Sequence, residues 1–147
     1  MEKLERSNSF RLYSDDLENK VLNMLIRIST VFLATLSPDL FDIILSKTAG
    51  FALSIGFQQS ISAVGFLCNA LVKVNPEKSL KRLLPLFITG ICREIDIYRA
   101  GKTVDMEILL GDCILVWNMY LLCYSLTEVG DSVLTWKEEL FAIIKYI

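Results

Sequence analysis

The sequence has no histidine, and its 147 residues include only three prolines, seven glycines and four cysteines. Each shortage removes a class of function. Without histidine, a serine or cysteine nucleophile lacks its usual base, and no serine stands on the glycine-rich elbow of a hydrolase. Cys68, Cys92, Cys113 and Cys123 are widely spaced, form no C-x-x-C pair and lie in apolar helical patterns. They read as buried free thiols of a reducing compartment, not as a zinc site. The scattered glycines spell neither a P-loop nor a dinucleotide fingerprint. The carboxylate pairs Asp15/Asp16 and Glu138/Glu139 are adjacent, so on a helix they point apart and read as solvated charge. No catalytic, cofactor-binding or metal-ligating residue is assigned, and no cofactor is expected.

A large excess of charge of either sign is missing too. A net charge of −2 and a pI near 5.2 leave no basic footprint for nucleic acid or an anionic membrane. The first twenty residues are polar and charged, with no apolar core of a signal peptide. What is abundant is apolar surface: 53% of residues, with a mean hydropathy of +0.47, high for an isolated soluble domain. Either the chain is a membrane protein, or it belongs to something larger that hides apolar faces against neighbouring segments. The longest uncharged run, Thr48 to Val72, is long enough to span a bilayer. It contains Ser54, Gln58, Gln59, Ser60, Ser62 and Asn69, and reads better as two helices joined at Gly56-Phe57-Gln58.

The remaining pattern is helical throughout, because no five-residue alternation bounded by turn chemistry competes. Residues 1–13 read as a polar N-terminal segment, and Ser14-Asp15-Asp16 as a helix start. From Leu17, two stripes step by three or four: Val21, Leu25, Ile28, Phe32 and Leu36 on one, Leu22, Met24, Ile26 and Leu33 on another. A helix apolar on two faces is sandwiched between layers. Ser37-Pro38-Asp39 starts a second helix, with serine at the N-cap and proline at the first helical position. A third runs from about Gln58 to Lys73. Asn75-Pro76-Glu77 starts a fourth, with Leu80, Leu83, Leu84, Phe87, Ile88, Ile91 and Ile95 on one stripe. Pro85 removes a backbone hydrogen bond inside it and predicts a bend. A fifth helix spans about Met106 to Leu126; its section ILVWNMYLLCY is apolar nearly all round, hence a buried layer in which Trp117 and Tyr120 are core. Asp131 or Ser132 caps a sixth, which reaches Ile147 without a terminating cap and so reads as part of a longer array.

Six helices with short connections fit a bundle or an α-solenoid. The two proline-started helices lie about 38 residues apart, close to the HEAT/armadillo period. Lys78, Lys81 and Arg82 read as a solvated helix face, with a docking patch for an acidic partner as the alternative. Arg99 and Lys102, in the stretch Tyr98 to Val104, have the better claim to an anion or a partner, since loops carry function more often than core.

The stretch Val74 to Ile95, VNPEKSLKRLLPLFITGICREI, resembles a segment of the large HEAT-repeat proteasome activators of animals and yeast. SPDLFDIILSK (Ser37 to Lys47) and AVGFLCNALVKV (Ala63 to Val74) resemble the preceding repeats. Asp112 to Leu122 and VGDSVLTWKEEL (Val129 to Leu140) continue in the same order. The resemblance implies an all-α solenoid of antiparallel helix pairs over 14–147, as a segment of a longer array. It implies a non-enzymatic scaffold role in a dome that caps the proteasome core particle and promotes gate opening. Degradation of peptides and unfolded proteins then proceeds without ATP or ubiquitin recognition. The implied partners are the core particle, through the parent protein, and neighbouring helical repeats, with no nucleic acid and no membrane. The family's association with core-particle assembly and DNA repair implies a place in nucleus and cytoplasm. DIYRAGKTV departs from the family's usual Gly/Ser/Arg-rich stretch, which weakens an anion-binding role for that loop. The family inserts a tail with a penultimate tyrosine into the core ring. Here Tyr146 is penultimate, but the match places it inside the family protein, so that likeness reads as coincidental. The alternatives are a free-standing helical adaptor and a small integral membrane protein.

Overall fold

The computed structural model describes the backbone of residues 2–53, 61–101, 114–127 and 129–146, with side chains from 17 onward except 18 and 61. Among these residues every regular element is helical. The α-helices are α1 (Glu2–Ala34), α2 (Pro38–Leu53), α3 (Ile61–Val74), α4 (Pro76–Arg99), α5 (Ile114–Leu126) and α6 (Lys137–Tyr146), with a 3-10 segment at Gly130–Trp136. The chain is all-α, as its pattern predicts.

The helix starts are set by local chemistry. The Ser37 hydroxyl accepts from the Leu40 N–H at 3.5 Å, with Pro38 at the first helical position. Asn75 Oδ1 accepts from the Lys78 N–H at 3.1 Å, and Pro76 follows it. α1 closes on two tight i→i−3 bonds, Thr35 N–H to Phe32 and Leu36 N–H to Leu33. α4 runs through Pro85, which is exposed, and stops where Gly101 adopts φ 66°. That left-handed conformation favours glycine and terminates helices.

Two boundaries differ from those expected. α1 begins at Glu2 and passes through Ser14-Asp15-Asp16. Residues 2–13 contain neither proline nor glycine, so nothing stops the helix from extending upstream of those cap-like residues. The sixth α-helix starts at Lys137, not at Asp131 or Ser132. Gly130 has φ 62°, the residue before it offers no side-chain cap, and a 3-10 coil intervenes. The proposed joint at Gly56-Phe57-Gln58, the start near Met106, Lys102 and Cys113 lie outside the described residues.

The helices form two rows. In the first, α1 packs on α3 and α3 on α5; in the second, α2 packs on α4 and α4 on α6. The rows meet where α3 and α5 touch α4 and where α2 touches α3. The core lies at this seam: Phe41 and Leu45 of α2, Leu71 of α3, Leu80, Leu83, Leu84 and Phe87 of α4, and Leu121 of α5 are all buried. Alternate helices in alternate rows are the signature of stacked helix pairs, in which each unit contacts only its neighbours.

Polar groups bolt the helices together, both across the rows and within one. Trp117 Nε1 of α5 donates to the Ala52 carbonyl at 2.8 Å, satisfying one of the orphan acceptors at the end of α2. Asn69 of α3 donates to the Tyr124 and Thr127 carbonyls at 2.9 and 3.1 Å, fastening the end of α5. Ser79 of α4 donates to the Leu71 carbonyl of α3 at 2.9 Å. Among the described residues no buried side-chain nitrogen or oxygen lacks a partner. Gly90 brings α4 close to α5, where an added Cβ would lie 2.6 Å from the Asn118 side chain.

Candidate interaction surfaces

The face of α1 turned away from α3 carries Leu17, Val21, Met24, Leu25, Ile28, Val31 and Phe32, each about half exposed or more. Their spacing of three and four places them on one stripe about 120° wide, as on a core-facing helix. The opposite face, with Leu22, Ile26 and Leu33, meets the rest of the fold; Met24, expected on that stripe, is instead 63% exposed with the outer set, because it stands three residues after Val21 and four before Ile28. α2 is built the same way: Phe41, Leu45, Thr48 and Ala49 are buried, while Leu40, Ile43 and Phe51 are exposed. One end of both rows is therefore apolar and open.

The other end of the stack repeats this. α5 buries Trp117, Asn118, Leu121 and Ser125 but exposes Val116, Met119 and Cys123, three and four residues apart. The expectation that α5 is a buried layer is thus correct for one side only. Leu134, Phe141 and Ile144 add exposed apolar surface from the 3-10 segment and α6, where only Ile143 is buried. Single exposed apolar residues need no explanation, but contiguous stripes of this size mark interaction surfaces.

A groove of about 800 Å³ lies over α1, α3 and α5, lined by Asn19, Asn23, Arg27, Asn69, Lys73 and Tyr124 among others. Its amides and cations lie beside the C-terminal ends of α3 and α5, where cations complement the helix dipole. Phe66 and Tyr124 meet edge to face at 5.2 Å, and Tyr120 lies 4.5 Å from Tyr124, centroid to centroid. The tyrosine pair pushes the Tyr124 hydroxyl up to about 12, chiefly through the hydrogen bond with Tyr120.

Arg99 and the Lys78, Lys81, Arg82 group, the candidate binding residues among those described, are engaged separately. Arg99 lies in the last turn of α4, where its guanidinium donates to the Tyr146 carbonyl at 2.6 Å and covers the Tyr146 ring at 5.2 Å. The Tyr146 hydroxyl donates to Asp96, which disfavours its ionisation and raises its pKa. Arg99 thus ties α6 to α4 as a structural clamp, and Tyr146 is part of a helix. Lys78 pairs with Asp42 of α2 at 2.5 Å, while Lys81 and Arg82 are exposed as a solvated face.

Of the cysteines, Cys68 is buried, and burial pushes its thiol up to about 12. Cys92 is half-buried and Cys123 exposed, so among the described cysteines only Cys68 fits the reading of a fully buried thiol. No group of residues suited to a metal ion occurs among the described residues. Nor is any described helix long and apolar enough to cross a membrane. The Thr48 to Val72 run is divided between α2, which ends at Leu53, and α3, which begins at Ile61.

Two rows of alternating helices, apolar at both ends, define a segment of an α-solenoid of the HEAT type. The family model describing the mid HEAT-repeat region of proteasome activator complex subunit 4 matches residues 1–147. The chain belongs to that family. Proteasome activator complex subunit 4 of Xenopus laevis is 32% identical over 119 residues, covering 78% of this chain. The Bos taurus protein of that name is 30% identical over 118 residues, covering 79%. The match spans about 6% of the length of these relatives. No solved structure matches the chain.

Proposed function

We propose that this chain is a non-enzymatic scaffold segment of a proteasome activator, contributing rigid stacked helices to a cap on the core particle. The observation that carries the reading is the family match across the whole chain. The apolar ends support it, because a repeat inside a longer array presents such faces to the repeats before and after it. In this reading the parent protein binds the open arrangement of the core-particle gate better than the closed one, and so shifts that equilibrium. Peptides and unfolded proteins then enter without ATP or ubiquitin recognition. The segment supplies shape and stiffness, not chemistry. Nucleus and cytoplasm, and a part in core-particle assembly and DNA repair, belong to the same reading.

The test is a chimera. Residues 1–147 replace the matching segment of the Xenopus laevis relative, and hydrolysis of a fluorogenic peptide by purified core particles is measured. Stimulation equal to that of the unaltered relative supports the reading. A chimera that is folded and soluble but neither binds nor stimulates the core particle overturns it.

A further inference from the structure

We propose that the groove over α1, α3 and α5 binds an extended, acidic segment of polypeptide. The groove lies on the flank of one row and not at its ends. On a helix that turns about 100° per residue, Arg27 points about 100° away from Ile28 of the outer apolar stripe, and Asn19 about 180° away. Repeats stacked on the ends therefore cover that stripe and not these residues. The inference rests on the groove and not on the proteasome reading.

The groove presents what a peptide backbone requires. Asn69 is 4% exposed and commits its amide nitrogen to the Tyr124 and Thr127 carbonyls, yet its Oδ1 accepts nothing among the described residues. No fully buried side-chain oxygen lacks a partner there, so this acceptor reaches the groove surface. Asn19 and Asn23 are exposed along the same groove, and their amides both donate and accept. They stand one helical turn apart, about 5–6 Å between Cβ atoms, with Arg27 one turn further. An extended chain repeats on one side every two residues, about 6.6–7 Å, a mismatch that Asn and Arg side chains absorb over two steps. A segment lying along α1 thus brings successive peptide groups to Asn19 and Asn23, and the next side chain on that side to Arg27. Arg27 is exposed, and no carboxylate occurs among the described residues lining the groove, so a Glu or Asp at that place gains a charge-assisted pair. Phe66 and Tyr124, edge to face, form an apolar floor for side chains on the other side.

The test is fluorescence anisotropy with this chain and no core particle, so its failure and failure of the chimera are separate results. The probe is a short fluorescein-labelled peptide of alternating Ala and Thr with one central Glu, alongside versions with Gln or Lys in its place. The Glu peptide should bind with a dissociation constant on the order of 100 µM, roughly tenfold more tightly than the Gln peptide. Arg27→Gln should erase that difference, and Arg27→Glu should turn the preference to the Lys peptide. Asn23→Ala should weaken the Glu and Gln peptides alike, by about three- to tenfold. Ile28→Glu, on the outer stripe, should leave affinity unchanged. All three positions are exposed, and circular dichroism checks the fold of each variant. Equal or weaker binding of the Glu peptide by the wild type overturns the proposal and leaves Arg27 only offsetting the helix ends. So does unchanged binding in Asn23→Ala, loss of binding in Ile28→Glu, the signature of adhesion to the apolar stripe, or no binding up to about 1 mM.

Discussion

Trp117 is the strongest single test of the two-row architecture. Its ring is 3% exposed at the seam, and its N–H reaches across from α5 to the last turn of α2. Trp117→Phe keeps an aromatic ring but removes part of the buried surface, at about 1–2 kcal/mol by area and cavity terms. It also strips the donor from the Ala52 carbonyl, whose residue is itself buried, adding about 1–3 kcal/mol for an unsatisfied acceptor. The expected loss is about 2–4 kcal/mol, a large fraction of the ~5–15 kcal/mol that holds a domain together. Urea unfolding followed by far-ultraviolet circular dichroism, at low micromolar protein, should show the midpoint falling by about 1–2 M. Trp136→Phe is the control, because Trp136 is only half-buried and lies in the 3-10 segment; it should cost less than about 1 kcal/mol. If Trp117→Phe shifts the midpoint by less than about 0.5 kcal/mol equivalent, or Trp136→Phe matches it, the seam is wrongly placed.

Asn69→Leu removes both bonds that fasten the end of α5 and leaves two carbonyls unpaired. A loss of about 2–3 kcal/mol is expected, and hydrogen exchange should quicken first in residues 121–127; uniform exchange across the chain would contradict the assignment. Gly90→Val forces a side chain into the Asn118 contact and should cost about 1–3 kcal/mol of overpacking in thermal melts. An unchanged melt would mean that α4 and α5 do not cross there. For the thiols, Cys68 has its pKa raised from 9.0 to about 12, so the folded state holds the proton more tightly than the unfolded one. Its contribution to stability is therefore complete below pH 9 and is lost as pH rises from 9 through 12. At pH 8 a thiol reagent should label exposed Cys123 promptly and Cys68 only on unfolding, and rapid labelling of Cys68 in the folded chain would refute its burial.

The two-faced helix shows both how much the sequence conveys and where it falls silent. Two apolar stripes on one helix were legible from Leu17 to Phe32, and they imply that two partners flank it. The structure supplies one partner, α3, against the inner stripe and leaves the outer stripe open. Periodicity records every face that is buried somewhere, but not whether the covering surface belongs to the same 147 residues. The same ambiguity made α5 read as wholly buried, since Val116 and Met119 are as apolar as Leu121.

Caps, by contrast, act within four residues, which is why Ser37-Pro38 and Asn75-Pro76 fix their helices where the pattern places them. Bonds between distant helices have no local signal. Asn69, one polar residue in an apolar run, finds its acceptors 55 and 58 positions away, and Ser79 finds its own across the α3–α4 turn. Arg99 was singled out as a cation on a stretch read as a loop; its partner, Tyr146, lies 47 residues on and converts a candidate binding cation into a clamp. Local chemistry thus determined where helices begin, while long-range partners determined which polar residues remain available. Among the described residues the exposed apolar stripes lie on α1, α2, α5 and α6, and no pattern within the sequence says which surface covers them.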